Sequence, residues 1–232
     1  MGDIDPIGTA RETLRTAYIA GLPSQSLIED WSDPAVGISG ARWTVTDPAT
    51  GVAWARTVSG AFIYATAVPN LNETARLRSN QQWRAHVAAI QTRIIPKKFI
   101  FEFELLLGNV VNMDNALTIL GGLTQGVAAT RATTDIVAFG LIGDALQTIT
   151  DLAGAETVTT GFGETLAQHN LFRIEVTDTE VLFGLNGDYI ARHIANLPDG
   201  PFYLQFFTDT EAGGAATHAV GWTRAWYETI TK

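Results

Sequence analysis

Residues 99–107 place the strongest constraint on the fold of this chain. Every second residue of the run is large and apolar, and two of the residues between them are glutamates. Because successive side chains of a β-strand point to opposite faces, this spacing puts the large apolar side chains on one face. Those side chains are Phe99, Phe101, Phe103, Leu105 and Leu107. The run therefore predicts a strand whose apolar face lies inside a β-sandwich.

Shorter alternating runs predict strands along the rest of the chain. They lie at 43–45 and 52–58, joined as a hairpin by the turn at 47–51, and at 61–68, 116–120, 136–142, 148–162, 171–176, 181–185, 189–194, 202–208 and 219–228. Asn186-Gly187 is the strongest hairpin signal, because both central residues of a tight hairpin turn accept positive φ. Residues 71–87 fit either a strand pair or a short helix, and the structure of 71–95 is left open. We predict an all-β, two-sheet antiparallel jelly-roll sandwich over residues 27–232.

One short helix is predicted before the sandwich. Thr9 and Glu12 have the spacing of a capping box, and Gly21 followed by Pro23 ends the helical pattern. We interpret residues 1–26 as an N-terminal helical arm, which packs on the sandwich or grips a neighbouring subunit.

The composition excludes several classes of partner. The net charge is −9, with 15 Lys and Arg against 24 Asp and Glu, so the chain lacks the basic stripe that nucleic-acid binding needs. Cysteine is absent, which removes thiol nucleophiles and Cys-type zinc sites. The N-terminus lacks the basic and apolar regions of a signal peptide, and no apolar stretch approaches the ~20 residues of a membrane helix. We expect no signal peptide, no membrane span and no nucleic-acid partner.

The C-terminal third resembles the concanavalin A-like lectin/glucanase sandwich, which includes laminin-G-like domains and family 16 glucanases. The resemblance is carried by three segments in order: 169–176, the hairpin at 181–191 with its Asn-Gly turn, and the closing strand at 218–228. It implies a two-sheet jelly roll. It implies no activity, because this fold hosts lectins, hydrolases, adhesins and virion proteins alike.

Glu102 and Glu104 are the most prominent acidic pair. Two residues apart on a strand, they project from one face about 7 Å from each other, whereas retaining glycosidases hold their two carboxyl groups about 5–5.5 Å apart. The family 16 glucanases carry three acids on such a strand, in a Glu-x-Asp-x-(x)-Glu pattern, and the third acid is missing here. We therefore predict no catalytic residues, with both glutamates on a solvated or interface-facing side of the strand.

Metal sites are not predicted either. The histidines lack zinc-type spacing; they are His86, His169, His193 and His218. Three acids in predicted loops are candidate calcium ligands, but acids in loops are usually solvated: Asp199, Asp209 and Glu211. We expect no metal and no cofactor.

Tryptophans are the remaining candidates for binding sugars, because a sugar can stack on a flat aromatic face. Trp222 and Trp226 share parity with Val220, which predicts that they lie in the core or an interface. Trp54 and Trp83 are predicted to be the exposed, carbohydrate-binding tryptophans.

Three functions remain open at this point. The first is a non-enzymatic structural protein of a virion, such as a bacteriophage capsid decoration protein, located in the virion, assembled in the host cytoplasm and in contact with other virion or self subunits as a homo-oligomer. It rests on the absence of cysteine and of a signal peptide, the low charge density and the missing catalytic acid. The alternatives are a carbohydrate-binding lectin-like module, with glycans as partners, and a divergent family 16-like glycoside hydrolase.

Overall fold

The computed structural model describes residues 26–30, 38, 40–46, 53–56, 62–65, 74–83, 94–211 and 216–231. These residues form fifteen β-strands and one 3-10 turn at Val110–Asn112. The strands are β1 (Ser26–Asp30), β2 (Trp43–Thr46), β3 (Ala53–Arg56), β4 (Phe62–Ala65), β5 (Thr74–Ser79), β6 (Ile94–Gly108), β7 (Ile119–Thr124), β8 (Ile136–Ile142), β9 (Ala145–Leu152), β10 (Ala155–Thr160), β11 (Asn170–Val176), β12 (Val181–Leu185), β13 (Asp188–His193), β14 (Tyr203–Asp209) and β15 (Thr217–Thr231).

The strands form two antiparallel sheets that face each other. The first sheet has the order β13-β12-β11-β6-β15-β4-β3, with β1 also paired to β15, and the second has the order β10-β9-β8-β7-β14-β5-β2. The predicted two-sheet antiparallel sandwich is therefore confirmed. The predicted N-terminal helix lies outside the described residues. Within the described residues, no helix has the length and apolar character that crossing a membrane requires.

Strand β6 supplies the centre of the core, as its alternation predicts. Its five large apolar side chains at 99, 101, 103, 105 and 107 are at most 2% exposed. The ring of Phe103 stacks on Phe172 of the neighbouring strand β11, at 5.4 Å between centroids, and meets Phe206 of the opposite sheet edge-on, also at 5.4 Å. A side chain at Gly121 would overlap the ring of Phe103. Glycine is therefore needed at this position of β7, opposite the ring of Phe103.

The Asn-Gly hairpin is also confirmed. Asn186 and Gly187 have φ values of 54° and 99°, and they join β12 to β13. Segment 148–162, predicted as one strand region, is the β9–β10 pair. Segment 116–120 is shifted, since β7 begins at Ile119.

The hairpin predicted between residues 43 and 58 is wrong. Strand β2 pairs with β5 in the second sheet, whereas β3 pairs with β4 in the first. The chain crosses from one sheet to the other between them, and both Trp43 and Trp54 enter the core. Local alternation and a turn signal are compatible with either connection, because they do not specify the partner strand.

Two histidines are buried in the neutral form. His193 is 1% exposed, with Nδ1 3.0 Å from the hydroxyl of Thr150 and Nε2 3.1 Å from that of Thr148. His218 is fully buried, and its Nε2 donates to the carbonyl oxygen of Leu120 at 2.8 Å. Burial lowers the pKa of each ring to about 4.

Because both histidines are buried in the neutral form, we expect acid to destabilise the protein. Since the folded-state pKa lies below the unfolded value near 6.5, the stabilising contribution is complete above pH 6.5 and is lost as the pH falls towards 4. Each ring contributes up to roughly 3 kcal/mol to this loss. Urea unfolding at a series of pH values should show the decline, and His193→Gln should make it shallower. An unfolding midpoint that is constant between pH 7 and pH 4 would contradict the prediction.

Candidate functional site

An ion-pair cluster covers the outer face of the first sheet, the face that points away from the core. Glu102 of β6 lies directly between Arg173 of β11 and Arg224 of β15 in the strand register. One carboxylate oxygen of Glu102 accepts from Arg173 and the other from Arg224. The side chain of Glu102 is only 3% exposed, and both of its oxygens are engaged. Glu102 is therefore held in place, with both of its oxygens already engaged.

The cluster continues to a second buried carboxylate, Glu175. This carboxylate accepts from Arg173, from Lys98 at 2.7 Å and from the hydroxyl of Tyr189 at 2.7 Å. Burial alone would raise the pKa of Glu175, but the hydrogen bonds from Lys98, Tyr189 and Arg173 outweigh it and hold the pKa below its ordinary value. The hydrogen bond that Tyr189 donates to Glu175 raises the pKa of Tyr189. In this part of the face, the acidic and basic side chains neutralise one another, and their hydrogen bonds fix their positions.

Two tryptophans flank Arg224 on the outer face. The guanidinium carbon of Arg224 lies 5.4 Å from the ring centre of Trp222 and 4.8 Å from that of Trp226. The guanidinium carbon of Arg173 lies 5.8 Å from the ring centre of Trp226. Both rings are partly exposed. They form an aromatic platform beside the ion pairs, fixed by cation–π contacts.

The shared sheet face predicted for Val220, Trp222 and Trp226 is wrong. A β-bulge between Val220 and Thr223 shifts the alternation of β15, so Val220 points into the core while Trp222 points outward. Trp54 and Trp83, predicted to be exposed and to bind carbohydrate, are 4% and 0% exposed. A ring buried to this extent has no face to offer a sugar, so the predicted exposure is wrong.

Glu104 is the accessible carboxylate of the pair on β6. Its side chain is 30% exposed, and Oε1 lies 3.1 Å from Nδ1 of His169, which is itself 60% exposed. On the other side is Gly221, in the bulge of β15, where an added Cβ would lie 2.5 Å from Oε2 of Glu104. The bulge therefore places a residue without a side chain where the Glu104 carboxylate needs room. Of the two glutamates on β6, Glu104 is the one that can touch a ligand.

A cleft of about 390 Å³ opens next to the ion pairs. It is lined by Glu102, Leu171, Arg173, Gly184, Gly187 and Tyr189. The two glycines of the β12–β13 hairpin add no side chains to the lining, and Tyr189, 58% exposed, forms one wall. Its volume lies at the lower end of the range of small-molecule sites.

No family model and no curated protein sequence matches this chain. Among solved structures, the fold is similar to a β-glucanase of Bacillus licheniformis, with a TM-score of 0.60 and 12% identity over 88% of this chain and 99% of that one. It is similar to the catalytic domain of an endo-1,3-β-glucanase (laminarinase) of Thermotoga petrophila, with a TM-score of 0.59 and 12% identity over 87% and 96%. It is also similar to peanut lectin, with a TM-score of 0.58 and 12% identity over 90% and 100%.

These similarities show that the sandwich is of the concanavalin-like jelly-roll type, as the C-terminal segments predict. They contradict the expectation of a non-enzymatic virion protein, because the similar structures are chiefly glucanases and other glycosidases. The prediction that no residue is catalytic was made from the missing third acid. It did not anticipate that Glu102 and Glu104 occupy two different environments.

Proposed function

We propose that this chain is a divergent glycoside hydrolase that binds a polysaccharide across the outer face of the first sheet. The observation that supports this most directly is the accessible carboxylate of Glu104 on the central strand, on the same sheet face as the cleft and the aromatic platform. The likeness of the fold to glucanases supports the same class of substrate.

Glu104 is the residue to which we assign acid–base chemistry. Glycoside hydrolysis uses two carboxyl groups: one gives a proton to the leaving oxygen, and the other either activates the attacking water or forms a glycosyl-enzyme that water then releases. We assign the proton-donating role to Glu104. Glu104 is exposed enough to meet a glycosidic oxygen, and the contact with His169 restricts its orientation. Glu102 is assigned a different role, since both of its oxygens bind arginines. It holds Arg173 and Arg224 in the floor of the site.

The aromatic platform is assigned to sugar binding. Trp222 and Trp226 present ring surface on the same sheet face as Glu104, and Arg224 between them keeps their spacing fixed. An apolar sugar face stacked on such a ring removes apolar surface from water, and the neighbouring guanidinium and carboxylate groups are available to sugar hydroxyls.

The proposal is tested with the full chain on a panel of soluble polysaccharides, including 1,3-linked β-glucan. Release of reducing ends and the size of the products report cleavage, while retardation in gels cast with each polysaccharide reports binding. We expect cleavage of at least one β-glucan, and weaker retardation for Trp226→Ala than for wild type.

The two readouts separate the possible results. Retardation without any cleavage would overturn the hydrolase proposal and indicate a lectin-like protein that uses the same platform. Absence of both binding and cleavage across the panel would overturn the assignment of this face to glycans.

A further inference from the structure

Two arginines lie side by side on the outer face of the second sheet, the face that points away from the core. Arg76 and Arg78 are two residues apart on β5 and partly exposed, whereas Leu77 between them is buried in the core. The guanidinium carbon of Arg76 lies 4.7 Å from the ring centre of Phe207, and that of Arg78 lies 4.4 Å from the ring centre of Tyr203. Cation–π contacts therefore hold both guanidinium groups against the neighbouring strand β14.

Neither arginine forms an ion pair in the part of the chain whose side chains the structure describes. Every other described lysine or arginine side chain pairs with a glutamate: Arg42, Lys98, Arg131, Arg173, Arg192 and Arg224. Asp209, two residues after Phe207 on β14, is 2% exposed and pairs with neither arginine, so it is not the solvated loop acid that the sequence suggests. Two positive charges are thus left without a described acidic partner in a chain of net charge −9.

The two arginines differ in how much of their hydrogen-bonding capacity is used. Arg76 donates to the carbonyl oxygens of Ala128 and Ala129, both at 3.2 Å, which fixes its position beside the β7–β8 connection. Burial lowers the pKa of Arg76, and the positive charge of Arg78 acts in the same direction. Arg78 donates to no described residue, and its described contact is the ring of Tyr203. Since a guanidinium carries five N–H donors, Arg78 has donors available to a ligand.

We propose that Arg76 and Arg78 form a secondary binding site for the sulfate or carboxylate groups of an acidic polysaccharide. The planar guanidinium group matches such oxoanions, because it can donate two parallel hydrogen bonds to them. Residues two apart on a strand face the same way about 7 Å from each other, so one extended chain with several anionic groups can reach both. Tyr203 offers partly exposed ring surface beside Arg78.

The choice of a polysaccharide as the carrier of the anionic groups rests on the proposed function. The site lies in the second sheet, whereas Glu104 and the aromatic platform lie in the first. It therefore takes no part in bond cleavage. Its role is to retain a charged chain on the protein.

The experiment measures binding of the full chain to two matched pairs of polymers by affinity electrophoresis. The pairs are dextran sulfate with dextran, and polygalacturonate with its methyl ester. We expect binding to at least one anionic member and not to its neutral partner, weakening as salt is added. The pair that responds identifies sulfate or carboxylate as the preferred group.

Substitution of Arg78 locates the site. Arg78→Gln should weaken binding about fivefold or more, because it removes a charged hydrogen-bond donor. Arg78→Lys should lose less, since it keeps the charge but not the planar fork. The matched control is Arg192→Gln, which removes the same charge from an arginine of the first sheet that is 65% exposed and should bind as wild type does.

Three results would overturn the proposal. The first is no binding to either anionic polymer, and the second is equal binding by wild type and Arg78→Gln. The third is equally tight binding of a single-stranded DNA oligonucleotide of the same charge, which would show attraction to any polyanion. Cleavage of neutral β-glucan is a separate readout, so this site can fail while the proposed hydrolase stands, and the reverse.

Discussion

Replacing Glu104 by glutamine is expected to slow polysaccharide cleavage by about 10²–10⁴-fold, the usual contribution of a positioned general acid or base. Glutamine keeps the shape of the side chain but can neither give nor take the proton. Because Glu104 is partly exposed and contacts His169 alone among the ion-pairing residues described, the fold should be little affected. Initial rates of reducing-end release, compared with the unfolding midpoint of each variant, separate a loss of chemistry from a loss of structure.

Two further variants sharpen this test. Glu180→Gln removes a carboxylate that pairs with Arg192 at 2.6 Å beside the same sheet, and it should retain the wild-type rate. Gly221→Ala adds a methyl group against Oε2 of Glu104 and should lower the rate by displacing that carboxylate. A Glu104→Gln protein that cleaves as fast as wild type would remove Glu104 from the mechanism.

Truncation of Phe103 to alanine is expected to cost about 3–5 kcal/mol of unfolding free energy, the range for a large aromatic residue in a packed core. The ring is completely buried and lies within 4.7–6.1 Å, between centroids, of four other phenylalanine rings. These rings come from both sheets, so the cavity cannot close by movement of one loop. Equilibrium unfolding in urea, with the slope of the transition compared between variants, measures the loss.

Ile194→Ala serves as the control for that measurement. Ile194 is 65% exposed, and its truncation should change the unfolding free energy by no more than about 0.5 kcal/mol. A loss below about 1 kcal/mol for Phe103→Ala would contradict the placement of its ring at the meeting point of the two sheets.

The sandwich could be predicted from the sequence because alternation and burial agree in most strands. Strand β6 carries a large apolar residue at every inward position, and the β12–β13 turn has the residue types that positive φ requires. Sheet membership could not be predicted. β2 and β3 are short, close in sequence and separated by a turn signal, yet they belong to different sheets.

The candidate site was only partly predictable for the same reason. The sequence predicts that Glu102 and Glu104 share one strand face, but the partners of Glu102 come from β11 and β15, about 70 and 120 residues later along the chain. Charged residues at outward positions of those strands were a usable signal for Arg173. The bulge in β15 removed that signal for Trp222. An irregular residue in a strand breaks the alternation, so parity with Val220 does not indicate the face on which Trp222 lies.

The position of β15 has a consequence for how the protein is made. Residues 217–231 form the last of the described strands in sequence, yet this strand lies in the middle of its sheet, between β6 on one side and β4 and β1 on the other. During translation, β1, β4 and β6 are therefore synthesised well before β15, the strand that joins them. Assembly of this layer must wait until residues 217–231 have been synthesised, and the distant pairing favours slow folding. Until then, the long apolar strand β6 lacks one neighbour and is the segment most exposed to aggregation or to chaperones.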